Sequence, residues 1–326
     1  AGHHPPFRQR RGVAQDLRAG TARPVRGTPR RPPRRRRTAP HRVLGLRLWQ
    51  RELIASAELD SELEYWRTVL EDVPLLRLPT DFPRPERKNF TGAFHTFTVS
   101  EDLTRSLRAV ARRESVSLFV VLLSAFYLLM ASRSRQRDLV VGTPTTGRNR
   151  PELSGMIGYF NSTVALRADL SGDPNIAELC ARVRDVVLGA LEHQEIPFDR
   201  VVTALTGDRD LSRTPLFDVC HVHQELPALQ SQQGLTETLF DQEDPAAIAF
   251  GGVPSGTAKF DLTLVTTERG GEDGMAAGLE FSTELFTEQT AAALCAEYVR
   301  ILEGVADSPP RTQPVFRVPG RRGPAP

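Results

Sequence analysis

Met156-Ile157-Gly158-Tyr159-Phe160-Asn161-Ser162-Thr163-Val164-Ala165-Leu166-Arg167 contains a β-strand, and residues 176–193 behind it read as an amphipathic helix. That helix is expected to open near Asp173-Pro174, because proline suits an early helical position. It should close at His193-Gln194-Glu195-Ile196-Pro197-Phe198-Asp199-Arg200, and a third string, Arg209-Asp210-Leu211-Ser212-Arg213-Thr214-Pro215-Leu216-Phe217-Asp218, leads into another strand at 217–223. Strand, helix and strand in succession set the texture of the chain.

The flanks repeat it. Residues 48–73 place Leu53, Leu59, Leu63, Trp66 and Leu70 at helical spacings until Pro74 and Pro79 interrupt. Residues 94–99 alternate as a strand, 102–113 read as a helix with Leu103, Leu107 and Val110 on one face, and 117–132 as a largely apolar, buried helix. A short β-type run at 138–142 ends in a turn at Gly142-Thr143-Pro144; 260–266 and 279–282 are strands; 287–305 is a closing helix capped by Thr287. Residues 224–256 are polar and read as a long mobile excursion. Interleaved helices and strands predict an α+β (α/β layered) core of about 260 residues, a mixed sheet packed by helices.

Charge separates the chain into regions. Residues 1–47 hold fourteen Arg, no Lys and only Asp16 as an acid, +13, so the total of +2 leaves −11 for residues 48–326. With its Pro and Arg runs and no periodicity, 1–47 is expected to be disordered, and so is the tail at 306–326. The acidic body offers no basic, aromatic-interleaved patch, which disfavours nucleic acid as a partner. Cys180, Cys220 and Cys295 are odd in number and far apart, unlike a disulfide framework or zinc site, and fit a reducing cytosol. The most apolar run, 118–130, is too short to span a bilayer and no signal-peptide core precedes it, so a soluble, cytoplasmic protein without membrane contact is expected.

In order and interval, the three strings quoted above resemble the last three signature motifs of the condensation domains of nonribosomal peptide synthetases. The likeness extends over 48–305: Tyr65-Trp66, Leu78-Pro79-Thr80-Asp81-Phe82-Pro83-Arg84-Pro85, Val141-Gly142-Thr143-Pro144, Lys259-Phe260-Asp261-Leu262 and Glu280-Phe281-Ser282-Thr283-Glu284-Leu285-Phe286 all look like this family's second half. The resemblance implies a lobe similar to chloramphenicol acetyltransferase, one of two that form a V around a tunnel. It also implies a reaction of secondary-metabolite biosynthesis, transfer of an aminoacyl or peptidyl group between carrier-protein thioesters. Peptidyl carrier proteins and neighbouring synthetase modules would be the partners, and the carriers' phosphopantetheine arms substrates; no cofactor or metal would be bound directly.

His3-His4 is the only adjacent histidine pair and lies where the family's HHxxxDG motif belongs. By that resemblance His4 is the catalytic candidate and His3 its support. Aminolysis needs an unprotonated amine, which a neutral imidazole serves as proton acceptor, and donors for the developing oxyanion. Arg8 stands at the family's Asp position, and nearly all of the first lobe is missing before His3, so a partial domain inactive by itself is expected. A one-base shift of plausible codons under Phe7-Arg8-Gln9-Arg10 gives Ser-Asp-Asn, and under Val43-Leu44-Gly45-Leu46-Arg47 permits Tyr-Ser-Asp-Tyr-Ala, another family signature. Parts of residues 5–47 therefore read as a frameshifted remnant of the catalytic segment.

Tyr159, Asn161 and Ser162 are the tunnel-strand candidates, with the order around Asn161 departing from the family's usual Val-Asn. His193, Pro197 and Phe198 mark the second motif; His193 is expected to be structural, a helix-capping histidine satisfied by backbone carbonyls. Arg213 is expected to support its own segment rather than meet an acidic carrier. His221 and His223 share one face of a strand, but with no third ligand at a recognisable spacing a metal is not expected, and their replacement by alanine should be mild. Phe198 and Phe217 are expected to be buried together. The rivals to the enzymatic reading are a non-catalytic carrier-binding or scaffold fragment and an RNA-binding protein using the Arg-rich arm.

Overall fold

A computed structural model of the chain describes residues 57–148, 160–206, 210–226, 256–269 and 274–308, with Leu153 and Gly158. The expectations for residues 1–47, for His3, His4 and Tyr159, and for most of the 224–256 excursion and the C-terminal tail lie outside the described residues.

In chain order the elements are α1 (Ala57–Val69), β1 (Gly92–Val99), α2 (Glu101–Glu114), α3 (Leu118–Ser134), β2 (Asp138–Thr145), β3 (Ser162–Asp169), α4 (Ile176–Glu192), α5 (Phe198–Leu205), β4 (Val219–Leu226), β5 (Leu262–Arg269), β6 (Met275–Ser282) and α6 (Glu288–Ala306). Short polar side chains start the helices by accepting the first free backbone N–H groups: Ser100 from Leu103, Ser117 from Val120, and Thr287 from Thr290. α4 has the full reciprocal box, Asn175 with Glu178, so its cap lies two residues past Asp173 and the helix begins at Ile176. Ser115 and Arg135 end α2 and α3 in the left-handed conformation.

The six strands form one mixed sheet in the order β1-β6-β5-β4-β2-β3. β4 runs parallel to β5 and to β2, and the other pairs are antiparallel. Alternation along β4 sends His221 to one face, where it stacks on Phe119 and Phe126 of α3. α2, α3, α4 and α6 make this layer. α3 is its centre, with every residue from Val120 to Ala131 buried. Its Tyr127 hydroxyl donates to the Leu166 carbonyl at 2.6 Å, and Tyr298 of α6 donates to Leu122 at 3.0 Å, so both buried phenols are satisfied. Among the described residues no single helix is long and apolar enough to cross a membrane; α2 and α3 qualify only as a pair bent by 104°.

The other face carries Gly142 and Cys220, which are in register, and there Phe217 lies directly against Gly142. α5 follows α4 on this side, bringing Phe198 within 5.5 Å of the Phe217 ring, and α1 packs on α5.

Several local expectations are corrected. β2 does not turn at Gly142-Thr143-Pro144 but continues to Thr145, paired with Ser162. Proline is tolerated because β2 is in register with β4 only at Gly142 and Cys220, so no ladder beyond that point needs its missing N–H. β4 reaches Leu226, into the stretch read as an excursion, and β6 begins at Met275 rather than 279. Residue 306 still belongs to α6, and Ser308 bonds back to the Gly304 carbonyl at 2.7 Å.

Candidate functional site: two strand ends and a buried charge cluster

The three sequence strings fall at distinct places. Ser162 opens β3 opposite Thr145, half-buried, while Asn161 beside it is exposed. The approach to this end is tied down by Arg148, whose guanidinium sits 4.3 Å over the Phe160 ring and donates to the carbonyls of Leu153 and Gly158.

His193 caps α4 through its backbone N–H, which donates to Gly189, and its carbonyl accepts from the Trp66 indole at 3.0 Å. Its ring does not use backbone carbonyls as expected. It stacks on Tyr65 at 3.8 Å, and Nδ1 lies 3.1 Å from Glu62. Burial first, then the charges of Glu192 and Glu62, raise the Tyr65 phenol. A Cβ at Gly189 would stand 2.6 Å from the Tyr65 hydroxyl, so glycine is what lets α1 lie this close to α4. His193, Tyr65 and Trp66 thus fasten α1 to the α4–α5 turn, which Pro197 and Phe198 complete.

At the opposite end of the sheet from Ser162, the strings converge with segments not foreseen together. Arg213 pairs with Asp218, just before β4, and donates to the Leu76 carbonyl at 3.1 Å. One strand over, Asp261 takes Arg84 on both oxygens and Lys88 at 3.0 Å. The two acidic segments are joined by the Asp261 N–H donating to the Asp218 carbonyl at 2.8 Å. Lys88, Asp218 and Asp261 are all buried. Burial tends to lower Arg84, but the Asp261 carboxylate outweighs it and holds the guanidinium above its ordinary value. Asp218 is raised, by burial first and by Asp261 second, against the pull of Arg213, Arg84 and Lys88. Arg213 is legible in the sequence as a support, whereas Asp218, Asp261, Arg84 and Lys88 carry no role assignable from sequence alone. The only available signal was charge placed inside otherwise apolar motifs.

Phe217 is buried as expected, whereas Phe198 is half-buried. His221 and His223 do share a face, but His221 has no solvent exposure, and neither of its ring nitrogens has a partner among the described residues. Alanine there opens a hole among Phe119 and Phe126, so the mild effect expected for His221 is corrected to a core-cavity loss. His223 bonds Thr266 at 2.9 Å through Nδ1. Among the described residues no three His, Cys, Asp or Glu side chains stand close enough to hold a metal. The three thiols are free and buried, and burial pushes Cys180 to about 11 and Cys220 and Cys295 to about 12, so they are poor nucleophiles at neutral pH.

His221 gives a pH prediction. Burial, then His223, lowers it to about 3 from 6.5. The folded value lies below the unfolded one, so its contribution is complete above pH 6.5 and is lost as pH falls from 6.5 towards 3. Urea unfolding at pH 5 compared with pH 7.5 should show a loss of about 2 kcal/mol from this group. His221→Leu should abolish that component of the loss, and an equal pH dependence in parent and variant would contradict it.

A six-stranded mixed sheet with one thick helical layer, entered by carboxylate-anchored parallel strands, defines a chloramphenicol-acetyltransferase-like lobe. The Condensation domain family model matches residues 46–315, and the chain belongs to the condensation-domain family of nonribosomal peptide synthetases. Malpinin synthetase of Mortierella alpina is 41% identical over 250 residues, 74% of this chain but 3% of that protein. A four-domain nonribosomal peptide synthetase, in its holo form bound to AMP and glycine, superposes with a TM-score of 0.71 at 26% identity, covering 83% of this chain and 21% of that one. The X-domain from teicoplanin biosynthesis gives the same TM-score at 24% identity; 83% of this chain covers 61% of it, a likeness of fold. The chain therefore spans a small part of the synthetases and about three-fifths of that single domain.

Proposed function

We propose that this chain contributes the second lobe of a peptide-bond-forming condensation site, in which an aminoacyl or peptidyl group leaves one carrier protein's phosphopantetheine thioester for the amine held on the next. The amine nitrogen bonds to the thioester carbonyl carbon, the carbon–sulfur bond breaks, and the amine proton ends on the departing thiol. The observation that carries the reading is the family match spanning the three strings and the elements that hold them. Two parts of this chain have roles. By its motif His4 is the candidate to hold the amine proton; within the folded unit, taken by itself, the β2–β3 end with Asn161 and Ser162 is the candidate passage wall, kept in place by Arg148. His193, Pro197 and Phe198 hold the corner of α1, α4 and α5, and Arg213 holds its own segment, away from that wall. The phosphopantetheine arms enter as substrates, carried by peptidyl carrier proteins of adjoining modules in the cytoplasm.

Arg8 in place of the motif's Asp favours a second reading, a carrier-binding domain without turnover. Acyl transfer needs both tunnel walls and an aligned histidine, so the isolated chain, given acyl-loaded and aminoacyl-loaded carriers, should form no product above a His4→Ala control by intact-protein mass spectrometry. Carrier binding without product leaves the second reading standing for the chain alone; His4-dependent turnover would overturn the inactive assignment.

A further inference from the structure

Asn161 stands just outside the β2–β3 ladder, whose last pair is Thr145 with Ser162. It is exposed, and its side chain has no hydrogen-bond partner among the described residues, so the sheet alone does not fix its place. That place is inherited from its neighbour Phe160, which is held from two sides by consecutive residues. Gly147 meets the Phe160 backbone. A Cβ at Gly147 would stand 1.9 Å from the Phe160 carbonyl oxygen, and φ there is 58°, so both the contact and the conformation require glycine.

Arg148 meets the Phe160 ring, with its guanidinium carbon 4.3 Å from the centroid. The same guanidinium donates to the Leu153 carbonyl and, at 3.4 Å, to the Gly158 carbonyl. Leu153 is buried, so the guanidinium is tied to a fixed point of the fold. A planar fork can serve a ring and two carbonyls at once, whereas a lysine ammonium is a single point charge on a flexible stem. The arrangement therefore depends on arginine in particular, and not on positive charge alone.

We propose that Gly147 and Arg148 are positioning residues for acyl transfer, acting through Phe160 to hold Asn161 at the passage wall; the assignment rests on the acyl-transfer reading. A displacement of about 1 Å can cost about 100-fold in rate. The clamp orients a group and binds no substrate itself, so its loss should fall on kcat rather than KM. In the full chain, hydrogen exchange read by mass spectrometry should be about tenfold or more faster over residues 160–166 in Arg148→Gln and Arg148→Lys than in the parent, and unchanged over 262–268. With the full chain joined behind the first lobe of an active condensation domain and given that domain's loaded carriers, both variants should lower kcat about tenfold or more. KM for the loaded acceptor carrier should change by less than about threefold. Gly147→Ala should behave alike, and the arginine variants remain decisive if it does not fold. Val305→Ala, which opens a cavity under α6, should keep the parent's kcat below its unfolding temperature, separating positioning from a general loss of stability. Exchange over 160–166 equal to the parent's, a kcat unchanged in Arg148→Lys, or losses confined to KM would each overturn the assignment. An inactive parent fusion with the exchange difference intact would instead count against the acyl-transfer reading and leave the clamp on Phe160 supported.

Discussion

Phe217→Ala should destabilise the protein by about 3–5 kcal/mol, the loss typical of a buried phenylalanine, and eliminate most soluble expression. The ring lies against Gly142, where β2 and β4 meet at their single in-register pair, and it stacks among Phe198 at 5.5 Å and Phe260 at 5.4 Å. It is therefore the packing that substitutes for the missing β2–β4 ladder. The complementary change tests the same contact from the sheet side: a Cβ at Gly142 would overlap the Phe217 ring, so Gly142→Ala should be strongly destabilising in the parent. In a Phe217→Leu background the alanine should cost markedly less. Additive losses in this double-mutant cycle, measured by urea unfolding, would show that the ring and the glycine do not interact.

Asp261→Ala should cost a similar amount, about 3–5 kcal/mol, because it leaves two cations without their counter-charge in a buried site. Arg84 and Lys88 both converge on this carboxylate, and Lys88 keeps only neutral partners when it is removed, Thr214 at 3.1 Å and the Lys259 carbonyl at 3.4 Å. The loss reflects the uncompensated cations more than the worth of the pairs. Removing Lys88 as well, in Asp261→Asn with Lys88→Met, should therefore recover much of the stability, as apolar replacement of a buried ion pair often does. If Asp261→Ala unfolds with the parent's midpoint, the cluster has no structural role.

The sequence disclosed those parts of the fold whose signals are local. Thr287 marks the start of α6, the unbroken apolar run marks α3, and alternation marks β1. Signals that depend on tertiary context were not legible. α5 is eight residues long, too short for a periodic pattern to declare itself. β6 begins Met275-Ala276-Ala277-Gly278, residues poor in strand propensity, and is a strand because β1 and β5 pair with it on both sides. Pro144 looked like a strand end because a missing ladder on one side of β2 cannot be seen in one dimension. The charge cluster was hidden by distance: Arg84 and Asp261 are 177 residues apart. His221 was legible only as sharing a strand face with His223, and its burial between two phenylalanines is decided by how α3 crosses β4. Arg213 was legible as a support, but its partner Asp218, five residues on, was not singled out.

Residues 57–308 should serve as a working second lobe of a condensation site. The most direct measurement replaces the corresponding lobe of an active condensation domain with these residues, supplies that domain's own loaded carriers, and follows the peptidyl product on the acceptor carrier by mass spectrometry. Product is expected, and it should disappear when the host's own motif histidine is changed to alanine. A chimera that folds, binds both carriers and yields no product would contradict the claim.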